Sequence, residues 1–177
     1  MYFLAVASEK KLEHAFSTKS FCIDTSDSIL EQRENKVYNT NTYCYIDSGD
    51  GFSEERLISK IVTAKPGETP FCIHFDLRDY GEIKSLRWDP IKGHVQSIII
   101  ETIQLEMKND ELRTIDPQLL ETNGNRISSN EFLFFTPNPW IIMPVGGSIK
   151  GVTISGRWSF KSFKEIIAEQ DAQILTY

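Results

Sequence analysis

Residues 71–77 alternate without a break: Phe71, Ile73, Phe75 and Leu77 are apolar, and Cys72, His74 and Asp76 stand between them. A period of two sends successive side chains to opposite faces, so this segment is predicted to be a strand with one face in a core. Such a strand needs a sheet around it and a second layer to cover its apolar face. The rest of the chain supplies more strands of the same kind. Tyr38–Asp47 centres on Tyr43, Cys44, Tyr45 and Ile46. Leu57–Val62, Phe132–Phe135 and Trp140–Val145 are short apolar runs. Leu86 and Trp88 begin a strand that Asp89-Pro90 stops, and Val152, Ile154, Trp158 and Phe160 alternate with Thr153, Ser155 and Ser159. Turn residues separate the runs at Ser48-Gly49-Asp50-Gly51, Lys65-Pro66-Gly67-Glu68 and Pro137-Asn138-Pro139.

Two positions break the pattern in an informative way. Over Val95–Met107, Ile98 and Ile100 share one parity while Ile103, Leu105 and Met107 share the other. A bulge near Glu101–Thr102 would return both sets to one face. Gly156 occupies an inward slot of the last strand and marks a second bulge. Residues 108–130 are polar and read as loops, with a brief strand at Gln118–Glu121.

Many short strands at turn-separated intervals, with no helices between them, predict an all-β, antiparallel two-sheet β-sandwich, jelly-roll-like in its topology. The sandwich is expected over residues 21–163, opening with a short strand at Phe21–Ile23. An N-terminal arm (1–20) carries a weak helical pattern in Val6, Lys10, Leu12, Ala15 and Phe16. A C-terminal tail (164–177) is expected to be helical over Lys164–Leu175. At 177 residues the chain suits one domain, which is commonly about 100–200 residues long.

The formal charge is −6, and Lys10-Lys11 is the one basic pair, so nucleic acid and anionic membrane are poor partners. Met1–Ala7 is apolar but short and lacks a basic lead-in, which argues against a signal peptide. No stretch approaches the roughly 20 apolar residues of a membrane span. Cys22, Cys44 and Cys72 are odd in number and far apart, which is neither a disulfide framework nor a zinc site. Each is read as a reduced, buried small hydrophobe, and a cytoplasmic location follows.

No segment carries catalytic chemistry in a recognisable spacing. Gly49-Asp50-Gly51 and Gly146-Gly147-Ser148 lack the glycines, lysine and helix of a phosphate loop. His14, His74 and His94 have no i, i+4 partner, and no Ser or Cys stands in a nucleophile motif. The chain is therefore expected not to be an enzyme. Asp47, Asp50, Glu54 and Glu55 crowd one strand end, with Asp89 at another. Oxygen ligands converging from such loops can hold calcium, which makes Asp47, Asp50 and Asp89 the candidate metal ligands; solvated turns are the competing reading. Trp88 and Trp158 fall on inward parity. Tyr43 and Tyr45 share a face with Asp47 and are expected to form an exposed platform for sugar rings; Trp140, between Pro139 and Ile141, lies at a corner and is a further candidate. Arg87 is placed to make a two-pronged bond with Asp89 or Asp47.

Two stretches together carry a resemblance. Tyr43 to Glu55 (YCYIDSGDGFSEE) is similar to a Y-x-D-x-G-x-G-F-S-E signature, and Ile83 to Pro90 (IKSLRWDP) to I-x-x-L-R-x-D-P. Both occur in a β-sandwich domain appended to bacterial glycosyltransferases and other surface-polysaccharide enzymes, which the chain resembles over roughly residues 38–160. The matched positions are Asp47, Gly49, Gly51, Phe52, Ser53, Glu54, Arg87, Asp89 and Pro90. The resemblance implies a non-catalytic accessory domain with a fold like jelly-roll carbohydrate-binding modules, and a glycan or a glycosyltransferase as partner. No glycosyltransferase domain is present here, so a separated module or a piece of a larger enzyme is expected. Three readings stay open: a glycan-binding module with Tyr43, Tyr45, Asp47, Arg87 and Trp140 as ligand contacts; a module that docks a glycosyltransferase or oligomerises; and a hydrolase using paired loop carboxylates.

Overall fold

Two antiparallel sheets face each other across one core in the computed structural model, which describes residues 38–65 and 67–160. The arm, the Phe21–Ile23 strand, Cys22, His14, Pro66 and the Lys164–Leu175 helix expected from sequence lie outside the described residues. The strands are β1 (Tyr38–Asp47), β2 (Leu57–Ala64), β3 (Gly67–Asp76), β4 (Ile83–Asp89), β5 (Gln96–Met107) and β6 (Leu112–Thr114). A single 3-10 turn, Pro117–Leu119, precedes β7 (Glu121–Thr122), β8 (Asn125–Arg126), β9 (Glu131–Phe134), β10 (Ile141–Gly147) and β11 (Ile149–Phe160). One sheet has the order β2-β1-β4-β10-β7. The other runs β3-β11-β5-β9-β8, with β6 paired to β5. The chain changes sheet between β2 and β3, β3 and β4, β4 and β5, β6 and β7, β7 and β8, β9 and β10, and β10 and β11. This repeated crossing joins the strands into the antiparallel two-sheet β-sandwich expected from the strand pattern.

The core follows from strand parity. Phe71, Ile73, Phe75 and Leu77 are buried, while Cys72, His74 and Asp76 between them are exposed. Cys44 is buried, and burial pushes its thiol well above the ordinary range, followed by the charge of Asp89. Cys72 does not share this environment. It lies on the outward parity of β3 and is exposed, which corrects the expectation that every cysteine is a core residue. Phe71 joins the sheets by stacking on Trp158 at 4.5 Å and meeting Trp88 of the opposite sheet at 5.5 Å, both ring-centroid distances. Such pairs add about 0.5–1.5 kcal/mol beyond the area they bury.

The two irregularities take physical form in the β5–β11 pairing. Ser155 pairs with Thr102 and Gly156 with Ile100, so Glu101 is the extra residue. Ile98, Ile100, Ile103 and Leu105 are all fully buried as a result. Gly156 sits at the same shift, pressed against the Ile99 carbonyl. The region read as loop is more ordered than expected. Asp116 accepts from the Gln118 N–H at 2.9 Å and caps the 3-10 turn that replaces most of the expected Gln118–Glu121 strand, of which only Glu121 is paired in a sheet.

Candidate functional site

The outward face of the five-stranded sheet is fixed by the same alternation. Cys44 and Ile46 of β1, Leu86 and Trp88 of β4, and Ile141 and Met143 of β10 point into the core. Tyr43, Tyr45 and Asp47 therefore point out, opposite Asp89, Arg87 and Ser85 in the β1–β4 register. Trp140 directly precedes β10, whose Ile141 pairs with Trp88. Extending that register by one residue sets Trp140 opposite Asp89. Trp140 is half-buried, and its peptide is held by Asn123, whose Oδ1 accepts from the Trp140 N–H at 2.9 Å.

Asp89 organises the centre. Its carboxylate has no exposed surface, and it accepts from Arg87 Nε at 2.7 Å and from Arg87 Nη2 at 2.9 Å. Lys92, from the loop after β4, places Nζ 3.3 Å from the same carboxylate. Lys92 also lies over the rings of Tyr43, at 4.8 Å, and Tyr45, at 5.9 Å, while Arg87 stands 5.1 Å from the Tyr45 ring centre. Burial is the largest single influence and opposes the charge on Lys92, but Asp89 and Tyr45 together outweigh it and hold the ammonium above its ordinary range. The Asp89 peptide is anchored from beneath: Trp88 Nε1–H donates to Thr42 Oγ1 at 2.7 Å, and Thr42 donates to the Asp89 carbonyl at 3.0 Å.

Tyr45 departs from its expected role. Flanked in register by Leu57 and Arg87, it is 6% exposed and cannot serve as an open platform. Its hydroxyl donates to Glu54 Oε1 at 3.1 Å, and burial first, then this bond, raises it above the ordinary phenol range. Tyr43, paired with Ser59 at its other side, keeps part of its ring exposed. Lys92, which no motif singled out, is the residue of this face that sequence reasoning missed. It lies three residues after Asp89 and next to Gly93, whose φ of 82° turns the loop back.

Asp47 acts on its own turn. Oδ1 accepts from the Gly49 N–H at 2.6 Å and the Gly51 N–H at 2.9 Å, and Oδ2 accepts from Ser85 Oγ at 3.1 Å. Gly49 and Gly51 have φ of 122° and 90°, a backbone that side-chain-bearing residues avoid. Asp50 is exposed, with Arg56 4.0 Å away. The expected calcium set is thus not assembled. Asp47 and Asp89 are committed to protein donors, Asp50 faces solvent, and among the described residues no three His, Cys, Asp or Glu side chains are grouped to hold a metal.

The Gly49 N–H bond, opposed by burial and aided by Gly51, Ser85 and Lys84, holds the Asp47 carboxyl below its ordinary value of 3.8. The stability this contributes is complete above that value and disappears as pH falls through the lower folded one. Asp47→Ala is expected to cost about 1–3 kcal/mol at neutral pH, because two turn N–H groups and the Ser85 hydroxyl lose a charged acceptor. Asp47→Asn keeps an acceptor and costs less. Urea denaturation from pH 7 to pH 3 checks the sign: wild type should lose more stability on acidification than Asp47→Asn, while Asp76, held down at about 2 by Arg78, contributes equally to both.

No family model, no curated protein and no solved structure matches this chain. Among the described residues no helix is long and apolar enough to cross a membrane.

Proposed function

We propose that this chain is a non-catalytic carbohydrate-binding module of bacterial cell-surface glycan synthesis, working in the cytoplasm beside a glycosyltransferase or as part of one. One observation carries the reading: partly exposed aromatic rings, Tyr43 and Trp140, border the Arg87–Asp89–Lys92 cluster on an outward sheet face. A sugar offers apolar C–H faces to a flat ring and hydroxyls to charged hydrogen-bonding groups, and this face presents both. The two motifs behind the family resemblance support it, since they supply Tyr43, Tyr45, Arg87 and Asp89 of this face and, through Asp47 and its glycines, the turn at its end.

The test uses a built-in reporter. Trp88 and Trp158 are 0% and 1% exposed, so a ligand-dependent change in tryptophan emission reports mainly on Trp140. Titration against a panel of bacterial surface-glycan fragments is expected to give a saturable change with one class of sugar. Trp140→Phe should abolish the optical signal, and Tyr43→Ala should weaken the affinity measured by calorimetry. A flat calorimetric response across the panel, from folded protein, would sink the reading. A second reading, a protein-docking module, draws on one observation: Ile61 is 78% exposed at the centre of β2, an edge strand. Ile61→Lys should leave sugar binding unchanged under the first reading and abolish partner binding under the second.

A further inference from the structure

Resting on the glycan reading, we infer that the Arg87–Lys92 face takes a sugar carrying a carboxylate, of the uronic-acid class. The chain as a whole is acidic, at −6, and Arg56–Asp50, Arg78–Asp76 and Lys150–Asp110 each match one cation to one carboxylate. Arg157 even divides itself between Glu68 and Glu101. At Asp89 the ratio is reversed: two cations converge on one carboxylate, and that carboxylate is fully buried while both cations reach the surface. Glu54, which approaches the cluster through Tyr45, is engaged by the Tyr45 hydroxyl.

Arg87 spends Nε and one Nη2 hydrogen on Asp89. A guanidinium has five N–H donors in a fixed planar fork, so Nη1 and the outer Nη2 hydrogen form a second edge on the side away from Asp89. A carboxylate fits that edge with two parallel bonds. Lys92, 38% exposed along its side chain, adds an ammonium with three donors, one of them turned to Asp89. The buried Asp89 holds both cations in place before a ligand arrives, which reduces the cost of ordering two long side chains on binding. Tyr43 and Trp140 border this edge and offer apolar faces to the sugar ring.

Calorimetry with two matched oligosaccharides tests the assignment: a hyaluronan hexasaccharide, in which alternate residues are glucuronate, and chitohexaose, which has no acid. The full chain is expected to bind the first more tightly by about tenfold or more, the size of one or two charge-assisted bonds. Lys92→Met, with folding verified by its urea transition, should remove most of that preference, lowering hyaluronan affinity by a larger factor than chitohexaose affinity. Raising sodium chloride should weaken hyaluronan binding alone. Equal affinity for the two sugars would overturn the carboxylate assignment and leave the glycan reading standing. So would a preference that survives Lys92→Met in full, or competition by inorganic phosphate as effective as that by free glucuronate at equal ionic strength. Failure of both oligosaccharides and of the wider fragment panel would sink the glycan reading itself.

Discussion

Arg87→Met is expected to destabilise the protein by about 3–5 kcal/mol, because it leaves the Asp89 carboxylate in a fully desolvated place with a single, more distant cation. Arg87 supplies bonds of 2.7 and 2.9 Å to the two carboxylate oxygens, whereas Lys92 stands 3.3 Å from one of them. Lys92→Met should therefore cost less, about 1–2 kcal/mol, because the two Arg87 bonds still hold the carboxylate. The cost in Arg87→Met comes from an orphaned charge and not from lost attraction, so removing the charge as well should restore stability. The double variant Arg87→Met/Asp89→Leu is expected to recover most of the loss, since apolar pairs of similar volume commonly replace buried ion pairs at little cost. Urea midpoints of the three variants and wild type, compared at constant slope, measure this. If Arg87→Met unfolded at the wild-type midpoint, Asp89 would have to be solvated, and the face would not be the preorganised surface described above.

What the sequence showed of this fold and face depended on whether the signal was local. The core side of β3 could be read because four apolar residues at period two need no knowledge of their neighbours. The bulge in β5 could be read because Ile98 and Ile100 change parity with Ile103 and Leu105 within one strand, and burying both sets on one side leaves no other geometry. Cys72 carried the same parity signal, and its exposure was predictable from Phe71 and Ile73 on either side. Strands β6, β7 and β8 were not visible. They are three, two and two residues long and hold no buried residue, so they exist only because β5, β9 and β10 offer them backbone partners. The Arg87–Asp89 pair was legible because residues two apart on a strand share a face. Tyr45 was misjudged because its burial comes from Leu57 and Arg87 on adjoining strands, and Lys92 was missed because it returns from a loop to a carboxylate on the strand before it.

Gly156→Ala is the substitution that bears on the fold most directly, and it is expected to cost about 3 kcal/mol or more, the upper part of the range for overpacked sites. A methyl group at this position would overlap the Ile99 carbonyl oxygen and would also stand 3.1 Å from the tip of the Phe71 ring. The first obstacle is backbone held in the β5–β11 ladder, where Arg157 pairs with Ile99 and Gly156 with Ile100, so it cannot rotate away as a side chain can. Relief requires the two strands to separate or the register to slip. A slip by one residue would carry Ile98 and Ile100, or Ile103 and Leu105, from the core to solvent, and the loss of their burial makes that route worse than the clash. Gly81→Ala is the control, since a methyl group there meets nothing within 4 Å; it should stay within about 0.5 kcal/mol of wild type. The comparison separates a general effect of replacing glycine from the close approach at the bulge. A Gly156→Ala protein as stable as Gly81→Ala would place the extra residue of β5 somewhere other than Glu101. The parity change that folds both isoleucine sets into one core would then need a different account.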